Sequence, residues 1–306
     1  MSAQGPTQPG SLGRRIAVVS IAANVSLSLA NIIVGLMAGS TSVVAAGVEF
    51  GMDAVAAALV YAGFAIATRP PDREHPYGHG RAEIVTGLIL GVLLVLTGLS
   101  ISAQSLRNYR LQHPPPASHA TWPLSAAILV KSVLMAVKFR YGRRIRSTAL
   151  VADGWNDSVD ILAGGAALVA VGLTLYDPDR FLAADHFGGF AVGLIVVATG
   201  LGVTRNTSLE LMDTMPPAEL INSIRASAHR IEGVSGVEKC WARKTGLWYH
   251  VDLHLEVDPR MSVADAHGIA ERVRHQIRRD MPEVADVLVH VEPASARAEP
   301  CPHEKR

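Results

Sequence analysis

The stretch that decides the fold is "VADGWNDSVDILAGGAALVAVGLTLY", residues 151–176. Its second half is a continuous apolar run, part of a segment that can cross a bilayer, for which about 20 residues are needed. Its first half carries Asp153, Asn156, Asp157 and Asp160. One charged side chain at the bilayer centre costs about 2.5–3.5 kcal/mol, so three carboxylates cost about 8–10 kcal/mol by simple addition. A chain carries that load only where the charges are paired, protonated or bound to something.

Working outward, apolar runs recur at 16–38, 43–67, 84–106, 122–137, 148–175 and 187–203, which predicts six spans. Composition agrees: 49% of residues are hydrophobic and only 5% aromatic, an Ala, Val, Leu and Ile bias that suits membrane helices. Lys and Arg set the orientation. Arg14, Arg15, Arg69, Arg73, Arg81, Lys138, Arg140, Arg143, Arg144, Arg146 and Arg205 fall on one side, against Arg107, Arg110 and Arg180 on the other. That bias places both termini in the cytoplasm and requires an even number of spans. The formal net charge of +1 gives no electrostatic footprint for nucleic acid. Cys240 and Cys301 form no CxxC pair and no disulfide framework, which fits a cytosolic setting. The polar start "MSAQGPTQPGSLGRR" is no secretory signal, and residues 1–13 are expected to be disordered.

After Asp213 the pattern changes. "PPAELINSIRASAHRIEGV" reads as an amphipathic helix behind a Pro start. "GVEKCWARKTGLWYHVDLHLEV" reads as two strands around Thr245-Gly246. In the second, Tyr249, Val251, Leu253, Leu255 and Val257 alternate with His250, Asp252, His254 and Glu256, a strand with one wet face. A helix capped by Ser262 and a third strand, "VADVLVHVEP", follow. The fold class is therefore a multi-pass α-helical membrane protein of six transmembrane helices (14–208) with a C-terminal cytoplasmic α/β domain (209–294). That domain has αββαβ order, is ferredoxin-like, and packs its helices on one face of the sheet. A disordered tail (295–306) completes the chain.

Glu49 and Asp53 are four residues apart, as are Asn156 and Asp160, so each pair shares a helix face. Two facing pairs would put four oxygen donors around one point. Asp153, at the start of its helix, reads as a cap or interfacial charge, and Lys131 as a snorkelling or paired lysine. In the loop after the second span, Asp72, His75 and His79 stand at i, i+3 and i+7. Carboxylate and imidazole so close in sequence can hold a divalent metal, although a solvated loop has the same look. An enzyme embedded in the bundle would need a nucleophile beside a base. Ser158 has acidic neighbours, but no histidine lies in any expected span.

"PPDREHPYGHGRAE" resembles the signature of the cation diffusion facilitator family of metal transporters, as do "EFGMD" and "NDSVD". "GVEKCWARKTG", "VDLHLEV", "VADAHGIAERV" and "VLVHVEP" resemble that family's cytoplasmic domain, so the likeness runs from about residue 14 to 293. The resemblance implies a homodimer in a lipid bilayer, expected to be a bacterial cytoplasmic membrane. It implies proton-coupled export of a divalent metal and no enzymatic role. Its transport site would be Glu49, Asp53, Asn156 and Asp160, and its loop site Asp72, His75 and His79. Metal-binding positions of the cytoplasmic domain fall on His254, His267, His290 and Glu292, while a further histidine position is occupied by Glu238. Arg81 and Asp213 fall where a hinge salt bridge joins the two parts.

Zinc-transporting members resemble a pattern of three carboxylates and one histidine; here an amide replaces the imidazole. Zn²⁺ favours nitrogen and sulfur donors, and all-oxygen sites favour harder ions. The expected cargo is therefore Mn²⁺ or Fe²⁺, then Zn²⁺, with the metal also a regulator of the cytoplasmic domain. A second reading is a non-transporting metal sensor, or a partner subunit, on the same scaffold.

Overall fold

A helix satisfies its own backbone polar groups, so apolar segments without internal proline can lie in lipid as helices. The computed structural model describes residues 9–37, 41–108, 121–176 and 178–294, and builds such helices in its first part. They are α1 (Pro9–Met37), α2 (Thr41–Ala67), α3 (Arg81–Asn108), α4 (Thr121–Arg144), α5 (Thr148–Tyr176) and α6 (Pro178–Leu211). The chain divides into two compact units between Leu211 and Met212. α1 starts at Pro9, so it takes in residues expected to belong to a disordered N-terminus. The tail from 295 onward lies outside the described residues.

Among the described residues, four helical segments are long and apolar enough to cross a membrane: Gly10–Val34, Gly47–Ala67, Arg81–Ala103 and Phe190–Leu211. α4 and α5 are long enough but carry Lys131 and Lys138, and Asp153, Asp157 and Asp160, respectively. Outward-facing Val, Leu and Ile side chains such as Val19, Leu29, Leu96 and Leu201 give this unit an apolar exterior suited to lipid. It is a helical membrane domain.

Glycines let its helices approach. A Cβ on Gly98 of α3 would lie 2.8 Å from the Gly193 carbonyl oxygen, and a Cβ on Gly193 of α6 would lie 2.9 Å from the Gly98 oxygen. Small residues at such a crossing allow backbone-to-backbone packing, a principal source of helix association in lipid.

The second unit is α7 (Ala218–His229), β1 (Gly236–Thr245), β2 (Trp248–Val257), α8 (Val263–Asp280) and β3 (Val284–Pro293). β1 and β2 are antiparallel and β2 and β3 parallel, in the order β1-β2-β3, with α8 as the crossover. The hairpin turns at Gly246, whose φ of 65° is one L side chains resist. The alternation in β2 is as expected: Tyr249, Val251, Leu253, Leu255 and Val257 are buried against Ile224 and Ala228 of α7 and Ile269, Val273 and Ile277 of α8. Ser262 caps α8 by accepting a hydrogen bond from the Asp265 amide at 3.2 Å. Cys240 is buried in this core, and burial pushes its thiol up to about 11.

Candidate functional site

α2 and α5 each bring a polar face inward. Asp53 is buried on α2, and the Asn156 side-chain amide of α5 donates to its Oδ1 at 2.8 Å. Lys131 of α4 reaches the same point. Its Nζ lies 2.7 Å from Asp53 Oδ2, 2.8 Å from Asp160 Oδ2 and 3.2 Å from Asp157 Oδ1. The lysine expected to be snorkelling or paired is thus paired three times over. Three of the four expected residues, Asp53, Asn156 and Asp160, come together. Glu49 is exposed on α2 and makes no hydrogen bond or ion pair among the described residues, but it lies within electrostatic reach of both Asp53 and Lys131.

A second layer adjoins the first. Lys138 Nζ lies 2.6 Å from Asp157 Oδ2 and 2.9 Å from Asp153 Oδ2. Asp153, expected as a cap or interfacial charge, is instead buried and ion-paired. Lys138, expected just beyond the fourth span, is likewise buried within α4.

The sequence builds this ladder in a simple way. Lys131 and Lys138 are seven residues apart on α4, and Asp153, Asp157 and Asp160 stand at i, i+4 and i+7 on α5, so both sets line single faces. Gly154 lets the two helices close: a Cβ there would lie 3.2 Å from the Phe139 ring and 3.3 Å from Lys138 Cβ. Asp157, touching both lysines, joins the layers. Sequence reasoning undervalued Asp157 and Lys138; the signal was the matching seven-residue spacing of opposite charges on adjacent helices.

The start of α5 is fixed from α3. Glu83, fully buried, accepts from Ser147 Oγ at 2.6 Å, the Ala149 amide at 2.8 Å and Thr148 Oγ1 at 3.2 Å. A carboxylate there satisfies orphan donors and complements the positive end of the helix dipole.

The loop residues also converge. Asp72 lies 3.2 Å from His75 Nδ1 and 3.4 Å from His79 Nε2, and the two rings are 4.3 Å apart. One ligand atom from each falls within 4.8 Å of the others. The His75 backbone amide and, in turn, its ring hold the Asp72 carboxyl below its usual range despite some desolvation.

In the second unit, His254 and His290 are paired across the parallel β2–β3 register. His254 Nδ1 lies 2.6 Å and His290 Nε2 3.6 Å from Glu292 Oε1, a nitrogen and carboxylate set suited to a divalent transition metal. Glu238 hydrogen-bonds Glu292 and is the main cause of its lowered pKa, with His254 adding to it. Glu238, at the family's histidine position, therefore borders this cluster. His267, exposed on α8, lies outside the set of ligand atoms that come together.

Residues 17–212 match the cation efflux transmembrane domain, and residues 216–294 the cation efflux protein cytoplasmic domain. Metal tolerance protein C1 of Arabidopsis thaliana is 31% identical over 303 residues, 94% of this chain and 64% of that protein, so the chain spans less than two thirds of it. Manganese efflux system protein MneP of Bacillus subtilis (strain 168) is 27% identical over 286 residues, 92% of this chain and 96% of that protein. Among solved structures, a MamM CTD variant in its cadmium form is 28% identical, covering 25% of this chain and 96% of that chain, with a TM-score of 0.25. With both domains matched in order along nearly its whole length, this integral membrane protein belongs to the cation efflux family.

Proposed function

We propose that the protein exports a divalent metal cation in exchange for protons, with Mn²⁺ or Fe²⁺ preferred to Zn²⁺. One observation carries this reading: Asp53 of α2 and Asp160 of α5 converge, in a buried site, within 2.8 Å of a single cationic atom. Carboxylates gathered from two helices around a cation are what a metal cargo needs. Glu49, one turn from Asp53, and the Asn156 carbonyl complete the donor set when the helices adjust. The donors are all oxygen, which favours harder ions. The Bacillus relative named for manganese efflux supports the same choice. With no imidazole in the set, the protons exchanged for metal are carried by the carboxylates.

The chain acts as a homodimer of six-span subunits in a bacterial cytoplasmic membrane, both termini inside. α4 and α5 cross as an ion-paired couple, which offsets the cost of their charges. Asp72, His75 and His79 form a loop metal site. His254, His290 and Glu292, with His267 supplied by rearrangement or by the second subunit, form a regulatory one. Metal there biases the transporter between states by its differential affinity for them. The test is metal uptake into inverted vesicles: Asp160→Ala abolishes it, and uptake at the unmutated rate would refute the site.

Lys131 between the carboxylates also suits a second reading, a sensor or partner subunit whose transport site stays closed by its own lysine. Flux by the purified protein alone separates the two.

A further inference from the structure

We infer that Lys131 is a tethered counter-cation of the transport site, displaced by the incoming metal onto Asp157 and returned to Asp53 and Asp160 when the metal leaves. This rests on the transport reading above and adds the residue that sets how tightly the site holds its cargo.

The geometry is that of a substitute. Lys131 Nζ bridges Asp53 Oδ2 at 2.7 Å and Asp160 Oδ2 at 2.8 Å, one carboxylate from each of two helices. A divalent ion bridging the same oxygens at about 2.0–2.3 Å would occupy the volume the ammonium now fills. The two cannot be bound together.

The structure also supplies the place to which the ammonium moves. Asp157 Oδ1 is already 3.2 Å from Lys131 Nζ, while its other oxygen is held by Lys138. A flexible four-carbon stem lets Nζ swing between these acceptors. It stays paired throughout, so no bare ammonium is left in a low-dielectric interior, where the penalty is several kcal/mol. Lys138 and Asp153 hold Asp157 in position for this exchange.

The charges fit the same scheme. Counted as ionised, Glu49, Asp53, Asp153, Asp157 and Asp160 against Lys131 and Lys138 leave a formal charge of minus three, where the five acids alone would leave minus five. One divalent cation brings that to minus one, which a single proton on a carboxylate neutralises. Because Lys131 is tethered beside the site, its effective concentration is high, in the millimolar range or above for short flexible tethers. It therefore weakens net metal affinity and speeds release.

The experiment uses the full-length protein carrying His79→Ala, His254→Ala and His290→Ala, so that Mn²⁺ binding reports the transmembrane site. Mn²⁺ affinity is measured by titration, and flux in proteoliposomes. Flux is read in protein that keeps these histidines: flux lost on Asp160→Ala establishes the transport reading, and its absence, or its survival in Asp160→Ala, would defeat that reading and not the lysine inference alone. Lys131→Met is expected to bind Mn²⁺ about tenfold or more tightly and to transport more slowly at saturation, so that half-saturating concentration and maximal rate fall together. A lysine that only holds helices together would give weaker binding. Lys131→Met/Asp157→Asn removes one charge of each sign and keeps the formal balance, so it serves if the single variant does not fold; it too is expected to bind more tightly. Unchanged or weaker Mn²⁺ affinity in whichever of these is folded, or folding of neither, overturns the inference in favour of a purely structural lysine.

Discussion

Lys138 Nζ lies 2.6 Å from Asp157 Oδ2, and neither side chain reaches the surface of the helical unit. The pair links the Lys131 layer to Asp153. Removing one member of a buried pair strands the other, at a cost of about 3–5 kcal/mol. Lys138→Met is therefore expected to lower the midpoint of thermal unfolding in detergent markedly. Lys138→Met with Asp153→Asn should recover part of the loss, because one stranded carboxylate is then neutral. Equal stability of Lys138→Met and the unmutated protein would show that the ladder contributes nothing to the fold.

The α3–α6 crossing depends on Gly98 and Gly193. A Cβ on either would meet opposing backbone at 2.7–2.9 Å, and backbone cannot step aside as a flexible side chain can. Gly98→Leu is expected to cost more than the 1–3 kcal/mol typical of overpacking, about 3 kcal/mol or more. Gly202 on α6 has nothing within 4 Å of the same test atom. Gly202→Ala should therefore be neutral, or gain about 0.5–1 kcal/mol in helix propensity. Denaturation of the two variants side by side checks the seam.

The cytoplasmic cluster makes a residue-specific claim. His254, His290 and Glu292 come together, while His267 is exposed on α8 outside that set. In an isolated subunit, His254→Ala or Glu292→Ala should weaken divalent-metal binding by about tenfold or more, and His267→Ala should leave it nearly unchanged. A loss for His267→Ala that appears only at concentrations where the protein dimerises would assign that histidine to a site shared between subunits. Titration at low and high protein concentration reads both.

Asp280 gives the second unit an acid limit. Hydrogen bonds from Ser227 at 2.6 Å and from Gln276, with Arg230 adding its charge, hold its carboxyl below the ordinary value of 3.8. A carboxyl depressed on folding stabilises the fold fully above its unfolded pKa, and that stabilisation is lost as pH falls through the folded pKa. Protection of the α7 and α8 amides should therefore decline below pH 3.8. Asp280→Asn should flatten that decline, as read by hydrogen exchange corrected for intrinsic rates. An unchanged slope would move the acid limit to another group, with the Asp286 carboxyl next. Burial works to raise its pKa, but bonds from Arg274 hold it low.

How far the sequence revealed this molecule depends on distance along the chain. The β2 alternation and the Ser262 cap follow from neighbours within a few residues, and both appear where local periodicity puts them. The acidic pairs were visible for the same reason. Glu49 shows the limit of that rule. Four residues overshoot a full helical turn by about 40°, so a pair can straddle the edge of a face, and here Asp53 is buried while Glu49 is exposed, though still in electrostatic reach of it. The ion-pair ladder was harder to see. Lys131 and Asp157 are 26 residues apart, and Lys131 and Asp53 are 78. Which acid meets which lysine is set by how α2, α4 and α5 rotate and cross, and the trace of it in the sequence was the matching seven-residue spacing of charges on α4 and α5. Asp153 was misjudged because a carboxylate in a helix's first turns usually faces water, whereas here Lys138 draws it inward.

The most direct measurement is metal flux into proteoliposomes containing the purified protein alone, under a pH gradient, with Mn²⁺, Fe²⁺, Zn²⁺, Co²⁺ and Cd²⁺ compared. The expected result is flux of Mn²⁺ or Fe²⁺ above Zn²⁺, dependent on the gradient and lost in Asp160→Ala. Folded, dimeric protein that moves none of these ions would contradict the account and leave Asp53, Asp160 and Lys131 as the closed site of a sensor or partner subunit.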